Sequence, residues 1–286
     1  MKKILMTLGL VITTFILTGC KSDSMEGIDI YTSVYPIEYV AKELYGNYST
    51  IYNMYPQGIK PYDYKFTDKQ ITDFADSDLV IYNGIDNEKD LVVKMLNKNK
   101  GLKIIDATNK IEYKDNMDEL WINPSNILMI AQNIKDGLQE YVTSKTIDKE
   151  IETNYEKLKL SLSSIDAELK EIAENSDNKT ILVSNNQFSF LSKYGFNIIS
   201  LDDDTFTESF YISAVDLINN GTIEYIFMVK DEEKNNNISK LFEECPDLKE
   251  AYIDTLNNIT TNDKNEGKNY LTIMNDNIDK LKKELY

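Results

Sequence analysis

The side chains that could do chemistry in this chain are carboxylates, tyrosines and amides, because the sequence contains no histidine. A general base that titrates near neutral pH is therefore missing, and neither Cys20 nor Cys245 has a base to activate it. No nucleophile-elbow serine and no glycine-rich phosphate loop are present either. Glu119 and Asp254 could work as an acid and base pair only in a substrate-sized groove. The sequence therefore argues against an enzyme and favours a protein that binds its ligand unchanged.

The first twenty residues have the order of a targeting segment. Lys2 and Lys3 precede a short apolar run at 4–16, and Leu-Thr-Gly-Cys closes the segment at Cys20. The run is too short to span a bilayer, so it predicts a cleaved signal peptide. Leu-Thr-Gly-Cys resembles a bacterial lipobox, which implies cleavage before Cys20 and lipidation of its thiol. Ordinary secretion with an incidental cysteine is the alternative. With the lipobox, we expect an anchor on the outer face of the cell membrane.

The rest of the chain alternates between short apolar runs and amphipathic stretches, which predicts parallel sheets covered by helices on both faces. In the first half the expected strands are 29–32, 50–54, 79–82 and 103–106, and the expected helices are 37–45, 67–74, 90–96 and 124–141. In the second half the expected strands are 180–184, 197–200 and 224–229, and the expected helices are 188–193, 208–219, 236–243 and 270–285.

A long helix is expected between these two halves. From Ile151 to Ile172 the apolar residues recur at alternating intervals of four and three, which places them on one helical face. A coiled-coil dimer would have the same pattern, but the repeat covers only about three heptads. We therefore predict a single helix that packs along both halves of the chain.

Four short stretches carry a family resemblance. Residues 61–64 read Pro-Tyr-Asp-Tyr and residues 119–124 read Glu-Leu-Trp-Ile-Asn-Pro. Residues 188–190 read Phe-Ser-Phe shortly before a Tyr-Gly pair, and residues 254–256 read Asp-Thr-Leu. In this order, and over most of residues 28–285, the chain resembles the solute-binding lipoproteins of bacterial zinc and manganese ABC importers (bacterial solute-binding protein family 9). It resembles an atypical member, because the family's histidine ligands are absent.

The resemblance implies two parallel-sheet α/β lobes, one long rigid linker helix and a ligand cleft between the lobes. The expected organisation is a signal peptide at 1–19, a lipid tether at 20–27, an N-terminal lobe at 28–146, a linker helix at 147–176 and a C-terminal lobe at 177–286. The family's four metal ligands fall on Tyr62, Glu119, Asn185 and Asp254, with Asn186 as the alternative for the third. Only Asp254 keeps the family's residue type.

A set of Tyr, Glu, Asn and Asp offers only oxygen donors. Such a set suits hard cations such as Mn²⁺, Ca²⁺, Mg²⁺ or Fe³⁺, whereas zinc prefers nitrogen and sulfur donors. The phenol of Tyr62 would bind well only after losing its proton, which a strongly Lewis-acidic ion promotes. The expected ligand is thus a divalent or trivalent cation, Mn, Fe or Zn. Three alternatives remain. Tyr62 is neutral and hydrogen-bonds to Glu119 or Asp254 across a metal-free cleft, the cleft binds a non-metal solute, or the chain is a surface lipoprotein for adhesion or protein interaction.

The composition and the resemblance together define the expected partners. The formal net charge of −17 disfavours nucleic acids and anionic lipid head groups. The resemblance implies an ABC permease and its ATPase as partners, a metal ion as ligand, membrane contact through the lipid anchor, and a monomer. Cys245 has no disulfide partner once Cys20 is lipidated, so we expect it to be buried as a small apolar side chain.

Overall fold

The computed structural model describes residues 25–57, 59, 61, 64–85, 88–112, 117–257 and 259–285, without the side chains of residues 117–119. These residues form two α/β lobes, each built on a four-stranded parallel sheet, with a long helix between them. The predicted fold class is therefore confirmed. Tyr62 and Cys20 lie outside the described residues.

The N-terminal lobe has a parallel sheet with the strand order β2-β1-β3-β4. Its strands are β1 (Ile28–Thr32), β2 (Ser49–Asn53), β3 (Leu79–Tyr82) and β4 (Lys103–Asp106). Its helices are α1 (Tyr35–Tyr45), α2 (Asp68–Ala75), α3 (Glu88–Lys98), α4 (Met117–Ile122) and α5 (Pro124–Tyr141). The strand order reverses at β1, so a crevice opens at the carboxyl ends of the strands, where open α/β sheets bind ligands.

The C-terminal lobe repeats this topology with the order β6-β5-β7-β8. Its strands are β5 (Thr180–Val183), β6 (Asn197–Ser200), β7 (Tyr225–Val229) and β8 (Lys249–Ile253). Its helices are α7 (Glu208–Asn219), α8 (Asn236–Glu244), α9 (Thr261–Asn265) and α10 (Tyr270–Leu285). The helix expected at 188–193 is a 3₁₀ segment, Asn186–Tyr194, which ends at Gly195 with a φ of +100° that favours glycine.

Three of the strands and α-helices were missed from the sequence: the strand β8 and the short helices α4 and α9. β8 is an edge strand in which Ala251 and Ile253 face the core and Tyr252 is exposed. Such a half-exposed strand of five residues, beginning with two charged side chains, carries a weak apolar signal. The omission of β8 matters because Asp254 directly follows this strand.

The linker helix α6 spans Lys145–Asn175, a length of roughly 46 Å at the usual rise per residue. Ser144 caps its first turn through a hydrogen bond from the Ile147 amide. The predicted apolar face, from Ile151 to Ile172, is buried and belongs to one apolar core that also contains residues of both lobes. This face is thus already covered within the chain and is not available for a coiled-coil partner. Since the two lobes share one core, large hinge motion between them would expose apolar surface.

Two further residues bear on the sequence expectations. Cys245 is buried, as predicted, and burial raises the pKa of its thiol. Met25, which the sequence assigned to the tether, is 1% exposed, and its carbonyl accepts a hydrogen bond from the Tyr45 hydroxyl. The folded N-terminal lobe therefore includes residues from Met25 onward. Within the described ranges, no helix is both long and apolar enough to cross a membrane.

Candidate metal-binding site

Asp254 follows the last residue of β8 at the carboxyl end of the C-terminal sheet. Its backbone is held by Asn277 of α10, whose Oδ1 accepts from the Asp254 amide at 3.0 Å and whose Nδ2 donates to the Asp254 carbonyl at 2.8 Å. The carboxylate Oδ1 accepts from the Leu256 amide at 2.9 Å. Leu256 is fully buried with a φ of +63°, a strained geometry for a branched residue. The turn that presents Asp254 is therefore fixed from several sides.

The second carboxylate oxygen of Asp254 is occupied by a lysine. Lys230, the first residue after β7, places its Nζ 3.2 Å from Asp254 Oδ2. Burial lowers the pKa of Lys230, but the charge of Asp254 and the hydrogen bond to it outweigh burial, so the pKa is raised. The ammonium thus stays protonated and occupies the position at which a cation would bind Asp254.

Asn185 lies at the same edge of this sheet, two residues beyond the end of β5. Its Oδ1 accepts from the Gln187 amide at 3.0 Å and caps the 3₁₀ segment, while its Nδ2 donates to Glu232 Oε2 at 2.9 Å. A carbonyl oxygen has a second lone pair, so Asn185 could still contact a cation. The alternative, Asn186, accepts from Thr205 through its side-chain oxygen. Each of the two amide oxygens thus accepts one hydrogen bond and keeps one lone pair, so both residues stay candidates. The strand β7 lies between the strand that precedes them and the strand that precedes Asp254.

The other two predicted ligands are described only through their surroundings. Glu119 lies in α4, which packs against the 3₁₀ segment that follows Asn185. Trp121 of the same helix is 1% exposed, and its carbonyl accepts from the Tyr270 hydroxyl at 2.7 Å. Tyr62 itself lies outside the described residues. Its neighbour Pro61 lines a cavity that is also lined by Asn257.

This cavity lies between the two lobes and has a volume of about 410 Å³. Glu38 of α1 is buried at its wall and forms ion pairs with Lys42 of the same helix and with Lys264 of the opposite lobe, at 2.5 and 3.3 Å. Burial raises the pKa of Glu38, but the lysines and the Asn53 amide outweigh it, so the net pKa is lowered. A second contact between the lobes joins Thr261 Oγ1 to Gln57 Oε1 at 2.6 Å. These contacts hold the lobes together beside the segments that carry the predicted ligands.

Among the residues whose side chains are described, no three His, Cys, Asp or Glu residues lie close enough to hold a metal ion. The side chains of Tyr62 and Glu119 are not among those described, so the set of four ligands remains a prediction. Sequence reasoning missed Lys230 and Asn277, which pair with Asp254. Lys230 could have been predicted from the sequence. It directly follows an expected strand, so it lies at the carboxyl ends of the strands, where the predicted ligands also lie.

The family model described as zinc-uptake complex component A, periplasmic (ZnuA), matches residues 30–284. The chain belongs to this family. The resemblance inferred from the four stretches is thereby confirmed.

Known relatives agree with this membership. The zinc-binding protein AdcA of Streptococcus pyogenes serotype M1 is 23% identical to this ZnuA-family chain over 98% of its length. The alignment spans only 61% of AdcA, so the chain covers about three fifths of the curated relative.

Two solved structures share the fold. The Zn(II)-bound ZnuA-like domain of Streptococcus pneumoniae AdcA is 20% identical with a TM-score of 0.72, over 91% of this chain and 99% of that domain. The metal-dependent lipoprotein YcdH of Bacillus subtilis is 18% identical with a TM-score of 0.75, over 90% of this chain and 99% of YcdH. Both likenesses support the two-lobed architecture of the ZnuA family for this chain.

Proposed function

We propose that this chain is the lipid-anchored, extracytoplasmic solute-binding component of a metal ABC importer. It captures a metal cation between its lobes and delivers it, chemically unchanged, to a permease driven by a cytoplasmic ATPase. The observation that carries the proposal is the match to the zinc-uptake family over residues 30–284. The lipobox at Cys20 supports the anchor, and the buried apolar face of α6 supports a monomer.

The cation would bind at the lobe junction, with Tyr62, Glu119, Asn185 and Asp254 as the ligands. Several contacts support this set. Asp254 and Asn185 follow strands of the same sheet edge, and the helix of Glu119 packs against the segment after Asn185. Pro61, next to Tyr62 in the chain, and Asn257, three residues after Asp254, both line the cavity between the lobes.

The donor set determines the choice of ion. Four oxygen donors without imidazole favour Mn²⁺ or Fe³⁺ over Zn²⁺, although the family description and the AdcA relative refer to zinc. Lys230 already neutralises Asp254. A cation must displace this ammonium, so we expect weaker binding than a preformed cluster of free carboxylates would give.

The test is elemental analysis of the chain purified without added metal, followed by thermal-shift titration with Mn²⁺, Fe³⁺, Zn²⁺ and Ca²⁺. A specific ion raises the melting temperature progressively as its concentration exceeds the dissociation constant. The shift should disappear in Asp254→Asn and in Glu119→Gln. It should persist in Glu171→Gln, which removes an exposed carboxylate of the linker helix.

Two results would contradict the proposal. The wild type could show no shift with any of the four ions, or the shift could survive in both ligand variants. Tight zinc binding lost in Asp254→Asn would keep the importer but refute the preference for a harder ion.

A further inference from the structure

A second cavity, of about 350 Å³, opens at the carboxyl end of the C-terminal sheet. It is lined by residues that follow three strands and by the start of α8. Met228 and Ile238, which line it, belong to the apolar cluster beneath α7 and α8, whereas Phe227 and Val229 face the core shared with the linker helix. This cavity therefore extends over the outer layer of the lobe, although the predicted metal ligand Asn185 also lines it. Its volume lies within the range of small-molecule sites, roughly 300–1,000 Å³.

Ser184 supplies the observation that points to a ligand. It lines the cavity and is 6% exposed, and among the described residues its Oγ has no hydrogen-bond partner. Strand alternation explains its direction, since Leu182, two residues earlier, faces the outer cluster. Buried hydroxyls nearly always have a partner because an unmade hydrogen bond is costly. A ligand in the cavity would supply the missing bond.

The hydrogen-bonding groups around Ser184 define the kind of ligand. The Asn185 amide donates to Glu232, and the Asn235 amide donates to the carbonyl of Leu201. Each of these amides keeps a second N–H, but the lining also holds five carboxylates, whose lone pairs outnumber the remaining donors. A ligand that matches this surplus must donate hydrogen bonds, as an ammonium group does with three N–H bonds and no acceptor.

The charges around the cavity are negative and are spread over its width. Asp202, Asp203 and Asp204 follow β6, and Glu232 and Glu233 follow β7. Within the described part of the chain, no lysine forms an ion pair with Asp202, Asp203, Asp204 or Glu233. The lysines of the β7 loop pair elsewhere, Lys230 with Asp254 and Lys234 with Glu250.

The spacing of these carboxylates disfavours a single metal ion. Among the described residues they do not come together as a group of three that could hold one. An extended cation with two or more charges can instead reach separate carboxylates at once. Met228 and Ile238 offer a small apolar floor for the methylene groups between those charges, because they line the cavity but are only 1% and 2% exposed.

We propose that this outer cavity binds an aliphatic diamine or polyamine, with one ammonium bonded to Ser184 and the others paired with the carboxylates after β6 and β7. The site shares Asn185 with the proposed metal site but not Asp254, and it does not depend on the importer proposal. Its carboxylates are partly exposed, so the affinity should fall as salt rises.

The test is calorimetric titration of the full chain, purified in detergent, with 1,4-diaminobutane and with spermidine at constant ionic strength. We expect saturable binding of one molecule per chain. The double variant Asp204→Asn/Glu233→Gln should raise the dissociation constant at least about tenfold, because it removes two charge-assisted bonds. Glu171→Gln removes an exposed carboxylate of the linker helix and should bind as the wild type does.

Ser184→Ala separates a binding role from a structural one. Removing an unpartnered buried hydroxyl should leave the melting temperature equal or higher without diamine, while weakening diamine binding. The proposal is overturned if neither amine binds saturably, or if the double variant binds as tightly as Glu171→Gln. It is also overturned if Mg²⁺ or Ca²⁺ binds more tightly than the amines and loses that binding in the double variant, because the occupant would then be a metal ion.

Discussion

Lys230→Met tests whether the lysine competes with a cation for Asp254. In the structure its ammonium occupies Asp254 Oδ2 at 3.2 Å, while Oδ1 accepts from the Leu256 amide. A metal ion that binds Asp254 must therefore break the ion pair. Methionine keeps the length and apolar character of the stem but removes the charge. The variant should consequently bind metal more tightly than the wild type.

The size of the effect follows from the exposure of the pair. The side chains are 47% and 22% exposed, so the ion pair contributes about 0.2–1 kcal/mol. A displaced ammonium about 10 Å from a divalent ion would add roughly 0.8 kcal/mol of repulsion in water before screening by salt. Together these give about 1–2 kcal/mol, which corresponds to a dissociation constant roughly 5- to 30-fold lower.

The assay is calorimetric titration with the ion that binds the wild type best. Lys249→Met is the matched control, because Lys249 pairs with Glu224 at 2.6 Å at the amino end of the same sheet, where β8 begins. It removes the same charge without touching Asp254. Unchanged or weaker binding in Lys230→Met would refute the competition, and an equal gain in Lys249→Met would assign the effect to net charge.

Two further substitutions test the supports of the C-terminal lobe. Asn277→Ala leaves the amide and carbonyl of Asp254 without their buried partner. The free energy of unfolding, measured with a denaturant, should therefore fall by about 2–4 kcal/mol. A decrease below about 1 kcal/mol would contradict the role assigned to Asn277. Burial raises the pKa of the Glu284 carboxyl from 4.5 to about 7. The folded state therefore keeps this proton to a higher pH than the unfolded state does. The stability gained in this way is complete below about pH 4.5 and is lost as the pH rises through 7. After allowance for solvent screening, Glu284→Gln should remove about 1–2 kcal/mol of that pH dependence. The measurement compares the free energies of unfolding at pH 5 and pH 8. Parallel pH profiles for the wild type and the variant would refute this role of Glu284.

The sequence by itself determined the elements whose signal is local. The linker helix was predicted because its apolar residues recur at helical spacing over many turns, and α6 buries that same face. Most strands of both sheets were predicted from short apolar runs, and the family was recognised from four stretches that keep their order. The family resemblance placed Asp254 before the last helix, but the strand β8 that precedes this residue was missed.

Only the tertiary structure decided which side chains meet across strands and lobes. Lys230 and Asp254 follow adjacent strands, and Asn277 reaches Asp254 from the last helix, so no local pattern reveals either contact. Ser184 was predicted as the last residue of a strand, and only the packed fold shows that its hydroxyl is buried without a partner among the described residues. Likewise, Lys264 reaches Glu38 of α1 only because one apolar core draws the two lobes together. Periodicity predicts which face of an element is buried, but the contacts of a polar side chain depend on residues far away in the chain, which only the packed fold brings near.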